Sequence, residues 1–519
     1  MSKTTSRPAH RLATGLALSC IILASGASSA AAAFGGDYDA NDPAQKAQYD
    51  AALVVATKAY EYAVPVLNME RTFKTSTSPT VNNGRGGGPV NQFSHFEKLA
   101  DAKDRTVVAP NSDTLYSMAW LDLSKTPQVI HSNSTTKRFH VFELLDPWEE
   151  NFKNIGPSDK AIPDGNNVIT GPNFKGKIPS GLRQIRSPYN RVWVIGRTYV
   201  VDKADLKAAR KVMASYKIVP LNQWRGDSSP DTYTQPPPKV IRRATVEAHI
   251  PGTGPGEDAA TFFDAAGDQL KLYKPPKRDA PILAQIKALG IGIGLHPTKT
   301  AKLSGAQLQA MRDAVTQGPG KLQGQFFADY IAGFTAHNGW IVVKTGTYAT
   351  NYNRRAIVDR VGLGAPTPEL AMYPLALLDS NRGILTGSKR YVAHFSAKTA
   401  RPPVKFFWSM TLYDSDSFLV DNPLDRYLVN DRSRLRYNSD GSLDIYLQPN
   451  APANSAQRAN WLPTPSAAAK TQGFRLIVRL YGLSQAGING ATDGTGWQGP
   501  SILPCDDGTA ASHGVACAG

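Results

Sequence analysis

PPVKFFWSMTLYDSDSFLVDNPLDRY, residues 402–427, is the stretch whose reading decides the fold class of this chain. It opens on Pro402 and Pro403 and then alternates. Phe407, Ser409, Thr411 and Tyr413 point one way, and Phe406, Trp408, Met410 and Leu412 the other, which predicts a β-strand with at least one buried face. The strand runs into a loop carrying Asp414, Asp416, Asp421, Asn422, Asp425 and Arg426. A buried strand that delivers acids, an amide and an arginine into one loop is how β-sandwiches build sites. A similar arrangement occurs in VVAPNSDTLYSMAWLDLS (107–124), where Asn111, Asp113 and Tyr116 lead into an apolar–aromatic run. Two strand-rich halves, each with a polar cluster, form the expected skeleton.

Working outward, TVVAP, LYSMAWLDL, RFHVFELLD and RVWVIGRTYVV read as short strands between about 105 and 201. They are separated by Gly, Pro, Asn and Asp clusters with no helix between them, which argues for an antiparallel sandwich. The second half repeats the pattern with YVAHF, FFWSMTLY, the pair RLRY and SLDIYL around a turn at Asp440-Gly441, and FRLIVRLYG. In the last of these, Phe474, Leu476, Val478 and Leu480 share one face. Arg475, Ile477, Arg479 and Tyr481 share the other, a mixed face of the kind that lines a cleft. Helical spacing appears instead over 43–72, where Pro65 interrupts near the end, and in DLKAARKVMASY, EDAATFFDAAGDQLKLY, PILAQIKALG and SGAQLQAMRDAVTQ, the last capped by Ser304. The expected division is a leader at 1–33, a helix plus β-sandwich at 34–202, a helical subdomain at 203–345, a jelly-roll-like sandwich at 346–504 and a tail at 505–519.

The leader is the plainest functional signal. Lys3, Arg7 and Arg11 precede the apolar run LATGLALSCIILA (12–24), and SGASSAAAAF supplies small-residue cleavage sites near Ala33. This is the pattern of a Sec-type signal peptide, too short and wrongly flanked for a membrane span. Ala17-Leu18-Ser19-Cys20 makes a poor lipobox. A secreted chain would retain Cys505 and Cys517, for which a small C-terminal disulfide is the natural reading in an oxidising compartment. Of the formal charge of +16, three positive charges lie in the leader, leaving +13 on the mature chain. That excess is compatible with anionic polymers, but the basic residues are dispersed, so no nucleic-acid groove is expected.

Several chemistries fail on spacing. The Gly-rich loop 76–90 lacks the Gly-Lys-Ser/Thr of a phosphate cradle, and Gly-x-Gly-x-Gly in LGIGIGLH (289–296) follows a helix rather than a strand. There is no Gly-x-Ser-x-Gly elbow and no HExxH, and no two histidines form a metal-spaced pair, so no metal site is expected. His95, His140 and His394 read as structural hydrogen-bonding groups. The Asp414-Ser-Asp416 run lacks the remaining ligands of a calcium loop. Paired carboxylates remain: Asp113 beside Asn111 and Tyr116, Asp146 before Trp148, and Asp414 with Arg426. Trp148, Trp408, Tyr413 and Trp461 could serve as sugar platforms. The competing reading is that Asn111–Asp113 is an Asx turn and that the tryptophans are core.

The runs NQFSHFEKLADAKDRTVVAPNSDTLYSMAWLDLSKTPQVI, RFHVFELLDPWEENFKNIG, ITGPNFKGKIPSGL and SPYNRVWVIGRTYV resemble the bacterial domain of unknown function twelve-fifty-four. NYNRRAIVDRVGLGAP, AMYPLALLDSNRGILTGSKRYVAHF, PPVKFFWSMTLYD, DNPLDRY, NSDGSLDIYLQ, NWLPTP and FRLIVRLYG resemble its companion, domain of unknown function twelve-fourteen. The resemblance covers nearly all the mature chain. It implies an exported, mainly β protein with an immunoglobulin-like sandwich, a helical middle and a jelly-roll-like sandwich, and it implies no reaction. The polar pattern it carries over falls on Asn111, Asp113, Tyr116, Asp146, Trp148 and Arg197. In the second half it falls on Arg354, Tyr373, Asp379, Trp408, Tyr413, Asn422, Arg426, Asn460, Trp461, Arg479 and Tyr481. Two functions are therefore expected to compete. One is a carbohydrate- or envelope-directed hydrolase or lyase using Asp113, Asp146, Asp414 and Arg426. The other is a non-catalytic extracellular binding or assembly protein. The partner class is a polysaccharide or cell-wall polymer; no residue pattern names a cofactor, and homo-oligomerisation is left open.

Overall fold

The structure, a computed structural model, describes residues 37–77, 87–105, 108–132, 137–157, 160–227, 229–234, 249–466 and 473–519. The expected leader at 1–33 and most of the Gly-rich loop lie outside the described residues. The chain is mainly β, with a helical middle between an N-terminal and a C-terminal sandwich.

The N-terminal strands are β1 (Ser94–Phe96), β2 (Thr114–Asp122), β3 (Gln128–His131), β4 (His140–Leu145), β5 (Asn151–Ile155), β6 (Asn166–Thr170), β7 (Arg183–Arg186), β8 (Arg191–Tyr199) and β9 (Lys217–Pro220). They form two sheets, β1-β2-β8-β4-β5 and β7-β6-β3-β9. Alternation along β8 explains the packing. Val192 and Val194 enter the sandwich core with Leu115, Phe142, Leu144, Ile130 and Ile169. Trp193, Ile195 and Arg197 therefore leave by the opposite face. There Trp193 stacks on Trp120 with ring centroids 5.2 Å apart, and both pack on Met69 and Phe73 of the first helix.

The C-terminal strands are β10 (Ala371–Met372), β11 (Leu375–Ala376), β12 (Tyr391–Phe395), β13 (Val404–Asp414), β14 (Leu428–Asn430), β15 (Leu443–Gln448), β16 (Trp461–Pro463), β17 (Phe474–Leu483) and β18 (Ser501–Pro504). Their sheets run β10-β17-β13-β14, with β11 also on β17, and β16-β15-β12-β18. Trp408, Met410 and Leu412 of β13 and Leu476, Val478 and Leu480 of β17 fill the core between them. The other face of β13 and β17 is the mixed one. It does not line an open cleft: it packs on the outer face of the N-terminal sandwich through Phe139, Val141, Phe407 and Tyr481.

The helices that position the site are α1 (Pro43–Ser76), α2 (Leu206–Ala214), α3 (Thr261–Leu272), α4 (Ala280–Ile286), α5 (Gly305–Gly333) and α6 (Tyr352–Gly362). α1 buries Ala56, Tyr60, Ala63 and Leu67 in one core with Phe262, Ile282, Met311 and Ile357. It is capped by Asp42 and continues through Pro65. α5 begins with a capping box of Ser304 and Gln307 and continues through Pro319, well past the expected end near residue 317. Tertiary burial carries both helices across a residue that removes one backbone donor.

Two expected strands are absent among the described residues. Residues 108–110 are irregular because their carbonyls serve the other sandwich, as described below. RLRY (434–437) is largely exposed and irregular, so the turn at Asp440-Gly441 closes no hairpin. β15 instead pairs antiparallel with β12 and parallel with β16. Cys505 and Cys517 form the expected disulfide. No helix among the described residues is long and apolar enough to cross a membrane.

Candidate functional site

The two outward faces meet in a polar seam. On the N-terminal side, antiparallel register places Tyr116 of β2 beside Arg197 of β8, which in turn lies beside Val141 of β4. On the C-terminal side, Arg479 pairs with Ser409 and Tyr481 with Phe407 across β17 and β13. Period-two alternation thus aims the polar set of each sheet at the other.

The loop before β2 stitches the halves together. Asn111 Nδ2 donates to the Tyr481 hydroxyl at 2.7 Å, and Asn111 Oδ1 accepts the Asp113 amide at 2.7 Å. The Asp113 carboxylate accepts from Ser409 Oγ and from Arg432 Nη2, the latter at 2.8 Å. Tyr413 donates its hydroxyl to the Pro110 carbonyl at 2.7 Å. Arg479 donates to Thr411 Oγ1 (2.9 Å), the Ala109 carbonyl (3.0 Å) and the Tyr413 oxygen (2.6 Å).

Charge is unevenly matched. Glu143, fully buried on β4, is ion-paired with Arg197, and Asp113 is taken by Arg432. Arg479, only 3% exposed, has neutral acceptors alone among the described residues. Arg197 Nε is buried without a hydrogen-bond partner. Burial opposes the charge on both arginines. The phenol oxygens around them, led by Tyr373 for Arg197 and by Tyr413 for Arg479, outweigh it, so both pKa values are raised and both groups stay protonated. Burial pushes Tyr413 up to about 12, Arg479 opposing. Tyr481 rises well above its ordinary range, from burial and then Tyr373. The phenols are therefore neutral donors at physiological pH. Tyr116 and Tyr373 are half-buried, and their rings lie 5.3 Å and 5.5 Å from the Arg197 and Arg479 guanidiniums. Two cations lined by neutral hydroxyls have the chemistry to hold an oxyanion.

Of the residues expected from sequence, Asn111, Asp113, Tyr116, Arg197, Tyr373, Tyr413, Arg479 and Tyr481 come together here. The others lie elsewhere. Asp146 accepts the Trp148 and Glu150 amides in a buried turn; burial and then Glu150 push it up to about 7. Trp148 is fully buried, 5.2 Å from the guanidinium of Arg355. Asp414 closes the turn to Asp416 and Phe418, and Asn422 bonds within its own loop. Arg426 donates to the Arg458 and Trp461 carbonyls, Trp461 to the Gln448 carbonyl, and Trp408 is core. Asp379 caps a turn, Arg354 pairs with Asp329 and Asn460 bridges Arg436 and Asp444. His95, His140 and His394 bond to Ser117, the Arg138 carbonyl and Asp444. Among the described residues no group of three or more His, Cys, Asp or Glu is placed to hold a metal.

Sequence reasoning missed Glu143 and Arg432. Glu143 left a signal, as the single acid inside the apolar run HVFELL. Arg432 left none, because a turn decides its direction.

A family model described as a protein of unknown function (DUF1254) matches residues 90–220, and a second, described as a protein of unknown function (DUF1214), matches residues 370–485. No curated protein matches the chain. Among solved structures it is similar in fold to the VPA0106 protein from Vibrio parahaemolyticus, with a TM-score of 0.60 and 22% identity over 88% of this chain and 100% of that one. An uncharacterized protein from Burkholderia cenocepacia matches with a TM-score of 0.36 and 14% identity, over 85% and 94% of the respective chains. The N-terminal side of the seam lies inside the first matched stretch and Tyr373, Tyr413, Arg479 and Tyr481 inside the second. The chain therefore carries the paired domains of unknown function DUF1254 and DUF1214, in that order.

Proposed function

We propose that this is an exported, non-catalytic binding protein for an acidic carbohydrate of the cell envelope or its surroundings, which holds one acid group of its ligand between Arg197 and Arg479. The observation that carries this reading is Arg479, buried with only neutral partners among the described residues. An uncompensated buried cation is costly, and a ligand carboxylate or sulfate would offset that cost. Tyr116 and Tyr373 offer aromatic faces to a sugar ring beside it. The disulfide and the leader composition support export.

A hydrolase would need two available carboxyls. Asp113, Asp146 and Asp414 are each committed to fixed partners, which favours binding over turnover. A lyase would need a phenol able to lose its proton, and the raised Tyr481 works against that. Titration calorimetry of the secreted chain against uronate oligosaccharides and neutral analogues tests the reading. Acidic ligands are expected to bind, neutral ones not. Arg479→Met and, in case that variant folds poorly, Tyr373→Ala are expected to weaken binding without any product forming. Accumulation of cleaved or unsaturated sugar, or equal binding of neutral ligands, overturns it.

A further inference from the structure

A cationic groove lies beside the loop that carries Arg432. Arg426, Val429, Ser433, Arg434 and Ala459 line a groove of about 240 Å³. Its geometry comes from one turn. β14 ends at Asn430, whose side-chain oxygen accepts the amides of Arg432 (3.1 Å) and Ser433 (2.9 Å). This Asx turn sends Arg432 inward to Asp113 and leaves Arg434 exposed at the groove. Arg426 is fixed beside it, its Nη1 donating to the Arg458 and Trp461 carbonyls at 3.0 Å and 2.9 Å. Arg436, also exposed, is tied to Asn460 through both its backbone amide and its carbonyl, at 2.8 Å and 2.7 Å.

Local acids are used elsewhere. Asp431 pairs with Arg432 at 2.7 Å, Asp425 with Lys203 at 3.4 Å and Asp444 with His394 at 2.6 Å. Among the described residues, Arg426, Arg434 and Arg436 have no carboxylate partner. Two guanidiniums, Arg426 and Arg434, line the groove with no acid among its lining residues, and exposed Arg436 follows two positions on, so the segment presents charge-assisted donors to successive anionic groups. No aromatic ring lines the groove, so it lacks the stacking platform on which single-stranded nucleic acids depend.

We propose that this groove is a second anion subsite, which takes the acid groups of an acidic polysaccharide at Arg426 and Arg434 and continues onto the exposed Arg436. The class of ligand rests on the carbohydrate reading above; the groove's geometry does not depend on the seam. The test is calorimetry with polygalacturonate and with digalacturonate at several salt concentrations, on the wild-type chain, Arg434→Ser/Arg436→Ser, Arg434→Lys/Arg436→Lys and Arg479→Met. The serine pair is expected to bind the polymer roughly tenfold more weakly, with a shallower dependence on salt. Its melting temperature and digalacturonate affinity stay unchanged, and the lysine pair recovers part of the loss. Unchanged polymer affinity and salt slope in the serine pair overturn the proposal. So does duplex DNA that displaces the polymer at equal charge concentration. Failure of digalacturonate to bind the wild type, alongside arginine-dependent polymer binding, removes the seam reading and leaves the groove standing.

Discussion

Asp113 serves two sandwiches at once. Its backbone amide is held by Asn111, and its carboxylate receives Ser409 and Arg432 from the other domain. Asp113→Ala leaves the half-buried Arg432 with Asp431 alone and the buried Ser409 hydroxyl without its acceptor, and is expected to cost about 1–3 kcal/mol, read by urea unfolding. Asp113→Asn, which can still accept from Ser409, should cost less. A second test at this scale concerns Glu149 and Asp359, buried against each other where the N-terminal sandwich meets α6. Each retains one oxygen without a hydrogen-bond partner. Burial first, and then Asp359, hold the Glu149 carboxyl well above its ordinary range, and burial pushes Asp359 up to about 7. Between about pH 4, where unfolded carboxyls ionise, and pH 7 the folded chain keeps protons that the unfolded chain has lost. Their contribution to stability is therefore full at the acid end of that window and falls as pH rises through it. Glu149→Gln should flatten this fall in melting temperature, and a variant curve parallel to wild type would refute the assignment. Legibility in sequence followed local grammar. Asn111, Asp113 and Tyr116 stood out because an Asx turn runs into an alternating strand, whereas the inward turn of Arg432 depends on Asn430 folding back on it.

Among the elements, the two faces of β17 are legible in its alternation, but what covers the polar face is not. Arginines, tyrosines and small hydroxyls on a strand look the same whether they border a cleft or a second domain, since both need polar groups paired at low solvent access. Local rules also failed at α5. A proline should have ended it, but packing on α1 carried it on to Gly333. The close approach there is testable. A Cβ on Gly318 would lie 2.4 Å from the Tyr60 ring, while one on Gly320 meets nothing within 4 Å. Gly318→Ala is expected to destabilise by about 1–3 kcal/mol and Gly320→Ala to be neutral or to stabilise by up to about 1 kcal/mol. Thermal melts of the pair separate contact from helix propensity.

For the whole molecule, the seam packs the two sandwiches against each other. Phe407 stacks on Tyr481 at 4.1 Å and packs on Tyr199 at 4.5 Å and Phe139 at 5.5 Å. Phe407→Ala is expected to cost about 3–5 kcal/mol and to split the calorimetric endotherm in two as the sandwiches uncouple. A single shifted peak would show that other contacts hold them. The placement of α1 has a further effect, on biosynthesis. Tyr49 hydrogen-bonds Asp313, 264 residues later, and Tyr62 bonds Asp279, 217 residues later. The first helix among the described residues is thus synthesised long before the later helices it packs on. Its apolar side must stay open, or be held by a chaperone, while the N-terminal sandwich behind it can already close. Nascent chains halted before α5 should therefore expose α1 to protease, and chains halted after α6 should protect it.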